Sequence, residues 1–122
     1  MKVLSIEQMH QLKELGVDVK PKGTCLMYTS DSSDDYYLKY GESTCEDDVV
    51  AFGLQDILEM LPNEIDGTYL SLDLDDCSVD YYYIDYVERI NWKSIDFYKE
   101  EIMYGVYNML LWVIENGYLK TK

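Results

Sequence analysis

Asp73, Asp75, Asp76 and Asp80 crowd into the segment SLDLDDCSVDYYYIDY, residues 71–86, together with Cys77 and four tyrosines. Carboxylates this dense are the raw material of a calcium loop. Such a loop needs acidic ligands at its first, third and fifth places, a glycine at the sixth and a glutamate at the twelfth. Counted from Asp73, those last three places fall to Cys77, Ser78 and Ile84, so the pattern fails. Zinc fares no better. Cys25, Cys45 and Cys77 are far apart, no CxxC pair exists, and His10 is the only histidine. The expectation is no metal and no cofactor.

Nucleophilic catalysis needs a thiol or hydroxyl with a positioned base. His10 falls on an amphipathic helix and is expected on its surface. Cys77 stands among aspartates, whose negative charge disfavours a thiolate. Carboxylate pairs suited to glycoside hydrolysis are inevitable among 24 acidic residues, but nothing marks one as buried. No GxGxxG, P-loop or GxSxG is present. The chain therefore reads as non-enzymatic.

Charge is concentrated rather than spread. The net charge is −14, and no basic residue lies between Lys39 and Arg89, a stretch holding 14 carboxylates. The remainder of the chain carries 10 acidic and 10 basic residues, so the middle segment supplies the whole imbalance. A field of this sign repels nucleic acid and anionic membranes and attracts basic protein surfaces. No run is long and apolar enough to span a bilayer, and the N-terminus MKVLSIEQMHQLKELG lacks the apolar core of a signal peptide. The expected location is cytoplasmic.

The elements that must hold these residues follow from periodicity. Ser5 and Gln8 form a capping box ahead of Ile6, Met9, Leu12 and Leu15, and Gly16 stops that helix. Residues 24–29 and 36–40 read as strands joined by a polar connector, SDSSDD, and 41–48 as a loop. A helix over about 53–61 ends at Pro62, and 63–67 is a turn. Residues 68–75 alternate, with Leu70, Leu72 and Leu74 inward and Tyr69, Asp73 and Asp75 outward. Residues 80–87 read as the partner strand, phased by Ile84 so that Tyr82 and Tyr86 face in and Tyr81, Tyr83 and Asp85 face out. Residues 88–98 fit either a third strand or a loop, and 98–116 a helix with a broad apolar arc ending at Asn116-Gly117.

The chain is thus expected to be one α+β domain, an antiparallel sheet packed against helices in the order α-β-β-α-β-β-(β)-α. Its helix starts, about 48 residues apart, suggest a weak αββ repeat. The phrases LSIEQMHQLKELG, LQDILEMLPNEI and NMLLWVIENGYL resemble a loose group of small uncharacterised proteins from gut Bacteroides-type bacteria and their prophages or mobile elements. The group brings no activity to carry over. The resemblance implies a bacterial or phage setting.

Thirteen tyrosines exceed what cross-strand pairing needs, and exposed tyrosine suits a protein interface. The leading expectation is a binding module that meets a basic protein surface through a hairpin face of Tyr69, Asp73, Asp75, Tyr81, Tyr83 and Asp85, with Asp76 and Asp80 at the connector. One alternative is an anti-defence nucleic-acid mimic, since alternate strand carboxylates repeat at ~6.6–6.8 Å, close to a phosphate step. The other is an enzyme with unidentified carboxylate chemistry, which requires a concave pocket. The apolar last helix and the tyrosines would suit a dimer without requiring one.

Overall fold

The computed structural model describes residues 2–30 and 35–119; most of the SDSSDD connector lies outside them. The chain is α+β, with its strands in two antiparallel sheets. It divides into two compact units that meet in sequence at Gly53 and Leu54.

The first unit opens with helix α1, Ile6–Glu14. The capping box forms as expected: the Gln8 N–H donates to Ser5 Oγ at 3.2 Å, and the Ser5 N–H donates to Gln8 Oε1 at 2.9 Å. Gly16, at φ +95°, takes the left-handed turn that ends the helix, and the Val17 N–H closes onto the Leu12 carbonyl at 3.0 Å. Strands β1 (Cys25–Ser30) and β2 (Tyr36–Gly41) form a hairpin, and a short β3 (Val49–Val50) adds to the other edge of β1. Strand β3 follows the loop expected over 41–48 and has no sequence signal, because two valines beside an acidic loop make no alternation. Leu4, Met9, Leu12, Met27 and Val49 are buried in this unit. The Tyr28 hydroxyl donates to the Leu4 carbonyl at 2.6 Å.

The second unit also begins with a helix followed by strands, but it has four strands where the first has three, and it closes with a further helix. Helix α2 is Leu54–Met60, and Pro62 follows it. The two helices begin at Ile6 and Leu54, the offset expected of the repeat. Strands β4 (Glu64–Ile65), β5 (Thr68–Asp73), β6 (Ser78–Asp85) and β7 (Glu88–Asp96) make a meander in sequential order. Residues 88–96 are therefore a strand. A 3-10 turn, Lys99–Glu101, leads into helix α3, Ile102–Glu115. Met103, Val106, Tyr107, Met109, Leu110 and Val113 are its buried face, matching the apolar arc. Gly117 and the Tyr118 N–H close α3 as Gly16 and Val17 close α1, onto the Val113 carbonyl at 3.0 Å.

Gly105 in α3 has a different task. A β-carbon there would sit 2.4 Å from Cδ2 of Phe97. The ring thus lies directly on the helix backbone, which offsets the cost of about 1 kcal/mol for glycine in a helix interior.

Register decides which residues of the second sheet face α3. Leu70 pairs with Tyr81, Leu72 with Val79, Tyr81 with Lys93 and Val79 with Ile95. The ring of Trp112 on α3 meets Tyr81 and Trp92, with centroids 6.4 and 5.6 Å apart, and Lys93 Nζ lies over it at 5.3 Å. A bulge at Tyr81/Tyr82 leaves Trp92 as the extra residue of β7, which lets Trp92 and Lys93 both contact Trp112. The opposite face carries Tyr69, Ser71, Asp80, Tyr82, Asn91 and Ser94.

Candidate functional site

The expected hairpin face does not hold together as one surface. Tyr81 is 0 % exposed and faces α3, with its hydroxyl donating to the Pro62 carbonyl at 2.8 Å. Burial pushes its phenol pKa well above the ordinary value. Tyr82 instead lies on the opposite face against Tyr69, ring centroids 6.3 Å apart. Ile84 and Tyr86, expected inward, are exposed, and so is Leu74, which has left the strand for the turn. The phase set by Ile84 fails because residues 84–87 extend past the covered part of the sheet. The true phase is carried by Val79 and Tyr81. A four-residue connector pairs even-numbered Leu70 and Leu72 with odd-numbered partners, so register was the available signal.

Asp80 is the second correction. It belongs to β6, not to the connector, and is 1 % exposed. Ser78 Oγ donates to Oδ2 at 3.0 Å, Ser94 Oγ donates to Oδ1, and Arg89 Nη2 pairs with Oδ2 at 3.2 Å. Arg89 also donates from Nε to Asn91 Oδ1 at 3.0 Å and stacks over Tyr82, 4.2 Å from the ring centroid. A buried carboxylate needs such partners, and here one comes from β6, Ser78, and two from β7, Arg89 and Ser94. Arg89, the cation that bounds the acidic segment, is thus paired with a buried carboxylate while its own side chain stays partly exposed.

Asp73 closes its own turn. Its Oδ1 accepts from the N–H groups of Asp75 and Asp76, each at 3.0 Å, and these, the Asp76 amide foremost, lower its pKa. Asp75 and Asp76 are exposed on that turn. Tyr69 is half exposed on the Tyr82 side of the sheet. Tyr83 lines a shallow recess with Asp66, Gly67, Thr68 and Trp92. Asp85 pairs across the hairpin end with Glu88.

That hairpin end lies within residues 80–87, expected as a continuous strand, and turns at Tyr86 and Val87 instead. Tyr86 is 97 % and Val87 93 % exposed, between Asp85 and Glu88, with Ile84 beside them. Tyr86 has φ +58°, a left-handed backbone that is an outlier for a bulky side chain. The turn contains no Gly, Asn or Pro, so no composition cue separates it from the strand before it.

In the first unit, Asp48 is buried and accepts at Oδ2 from Ser43 Oγ (2.9 Å), the Thr44 N–H (3.0 Å) and the Cys45 N–H (3.2 Å). Its Oδ1 is closed from solvent without a well-formed hydrogen bond, while the Thr29 hydroxyl is close enough to stabilise the charge. Burial would raise the pKa, but Thr29, Thr44, Ser43 and Cys45 together outweigh it and bring it down to about 2. A depressed carboxyl stabilises the fold above its unfolded pKa and loses that contribution as pH falls through the folded one. Wild type and Asp48→Asn are therefore expected to converge in stability between about pH 4 and about pH 2, with wild type the more stable above that window. Urea midpoints measured across pH 6 to 2 check this; a constant gap between the two would refute it.

Among the described residues no group of three or more His, Cys, Asp or Glu side chains is placed to hold a metal ion. No helix among them is long and apolar enough to cross a membrane. The chain matches no protein-family model, and no curated protein or solved structure matches it.

Proposed function

We propose that this chain is a non-enzymatic binding module that meets a basic protein surface through the acidic, aromatic end of the β6–β7 hairpin. The observation that carries this reading is the pair Tyr86 and Val87, almost fully exposed and flanked by Asp85 and Glu88. Two adjacent large side chains held in water at a strained turn offer a partner a ready contact. Tyr69 and Tyr83 extend the aromatic surface on either face, and Asp75 and Asp76 add charge at the opposite end of β6. With Arg89 engaged by Asp80 and Tyr82, it is drawn away from these exposed carboxylates. The same facts favour a protein contact over nucleic-acid mimicry. Of the regularly spaced carboxylates a mimic would use, Asp80 is buried and Asp73 is folded into its own turn.

The test is capture from bacterial lysate with a variant that keeps the fold. Tyr86→Gly accepts positive φ without strain, and Asp85→Asn with Glu88→Gln removes the flanking charge. Wild type is expected to retain a basic protein that the triple variant loses, with retention persisting at high salt and in the presence of DNA. Loss of that protein to salt and to competing DNA would favour mimicry instead. Equal capture by both forms would remove the hairpin end from the interface.

A further inference from the structure

A second constellation lies at the corner where β7 gives way to α3. Asp96, Phe97, Tyr98, Glu101 and Tyr104 line an open cleft of about 330 Å³. This is the lower end of the roughly 300–1,000 Å³ typical of ligand pockets, suited to a single long side chain. Local structure builds it. The Phe97 N–H donates to the Cys77 carbonyl at 2.9 Å, and the Phe97 ring rests on the helix at Gly105, forming a fixed wall. Tyr98 and Tyr104, one before the 3-10 turn and one in the first turn of α3, are 77 % and 58 % exposed. Tyrosine is not needed at such exposed positions for packing. Asp96 and Glu101 contribute two carboxylates, and among the described residues no cation lines the cleft; Lys99 of the same turn is not part of it.

We infer that this cleft binds an arginine side chain presented by a protein partner. Aromatic faces attract a guanidinium through their quadrupoles, and its planar fork matches a carboxylate. Three rings with two acids in one concavity supply both contacts, and the net charge of −14 draws the cation in. The site stands apart from the β6–β7 hairpin end and does not depend on it.

The experiment is a titration of the ¹⁵N-labelled protein with N-acetyl-arginine amide, followed by amide chemical shifts. N-acetyl-citrulline amide, of the same shape but neutral, is the control. Saturable shifts are expected at Phe97, Tyr98, Glu101 and Tyr104, with citrulline at least about tenfold weaker. Tyr104→Ala and Glu101→Gln should each weaken binding several-fold while the rest of the spectrum stays in place. Both positions are exposed, and if Tyr104→Ala disturbs the fold, Glu101→Gln carries the test alone. No shift at the cleft, equal response to citrulline, or shifts confined to Asp75, Asp76 and Asp85 would each overturn the inference. Neither variant touches Tyr86, so failure here leaves the hairpin reading intact.

Discussion

Tyr81→Ala is expected to destabilise the protein by about 3–5 kcal/mol, the range for removing a large buried aromatic side chain. Tyr81 is fully buried between Leu70 and Lys93 on its own sheet and packs on Trp112 of α3. Truncation leaves a cavity in the layer that joins sheet to helix, and it strands the Pro62 carbonyl without its donor. Typical domains have only about 5–15 kcal/mol of stability, so the variant should lose a large share of it and unfold at a much lower urea concentration. Tyr81→Phe separates the two contributions. It keeps the ring and loses only the hydrogen bond, and should cost about 1 kcal/mol. Urea denaturation of both variants gives the comparison. A midpoint for Tyr81→Ala close to wild type would mean that this residue is not the core residue its burial indicates.

The second large effect concerns a carboxylate. Asp80→Ala should cost about 2–4 kcal/mol, because it removes the acceptor for two serine hydroxyls and the buried partner of Arg89. The figure lies below that of a fully buried pair because Arg89 is partly exposed and can turn to water. Asp75→Asn, a change of the same sign of charge at an exposed turn, should stay within about 0.5 kcal/mol. The contrast is the informative quantity. Two aspartates five residues apart in the same acidic ribbon are expected to differ several-fold in their hold on the fold. A double-mutant cycle of Asp80→Ala with Arg89→Met should show coupling of at least about 0.5 kcal/mol. If Asp80→Ala and Asp75→Asn behaved alike, the Asp80 network would have no energetic meaning.

These effects also guide the binding experiments. A variant stripped of every aspartate in residues 73–85 would confuse lost contact with lost structure, because Asp80 and Asp73 serve the fold. Changes at Tyr86, Asp85 and Glu88 act at the surface instead.

Local rules made much of the fold legible. The capping box at Ser5 and Gln8, the stops at Gly16, Pro62 and Gly117, and the apolar arc from Met103 to Val113 all concern residues within a single helix and its ends. Their physics is complete in a short window. The α+β class and the succession of helices and longer strands rest on the same local signals. The short strands β3 and β4 escaped because two residues carry no period.

The candidate surface was legible only as a composition. Sequence alone determined that residues 40–88 are acidic and rich in tyrosine, and that α-helices and antiparallel strands must carry them. It did not decide which carboxylates meet water. That depended on the pairing of β5 with β6 and on the bulge that pairs Tyr82 with Asn91 and leaves Trp92 extra on β7. A shift of one position in strand phase exchanges every residue between faces. Tertiary structure therefore turned Tyr81 into core, Asp80 into a buried anchor for Arg89, and Tyr86 into the exposed tip. The cleft of Asp96, Phe97, Tyr98, Glu101 and Tyr104 is different, since one short stretch of chain supplies its whole described lining. Strand phase and helix docking are set by contacts between residues far apart in the chain, and no local pattern contains them.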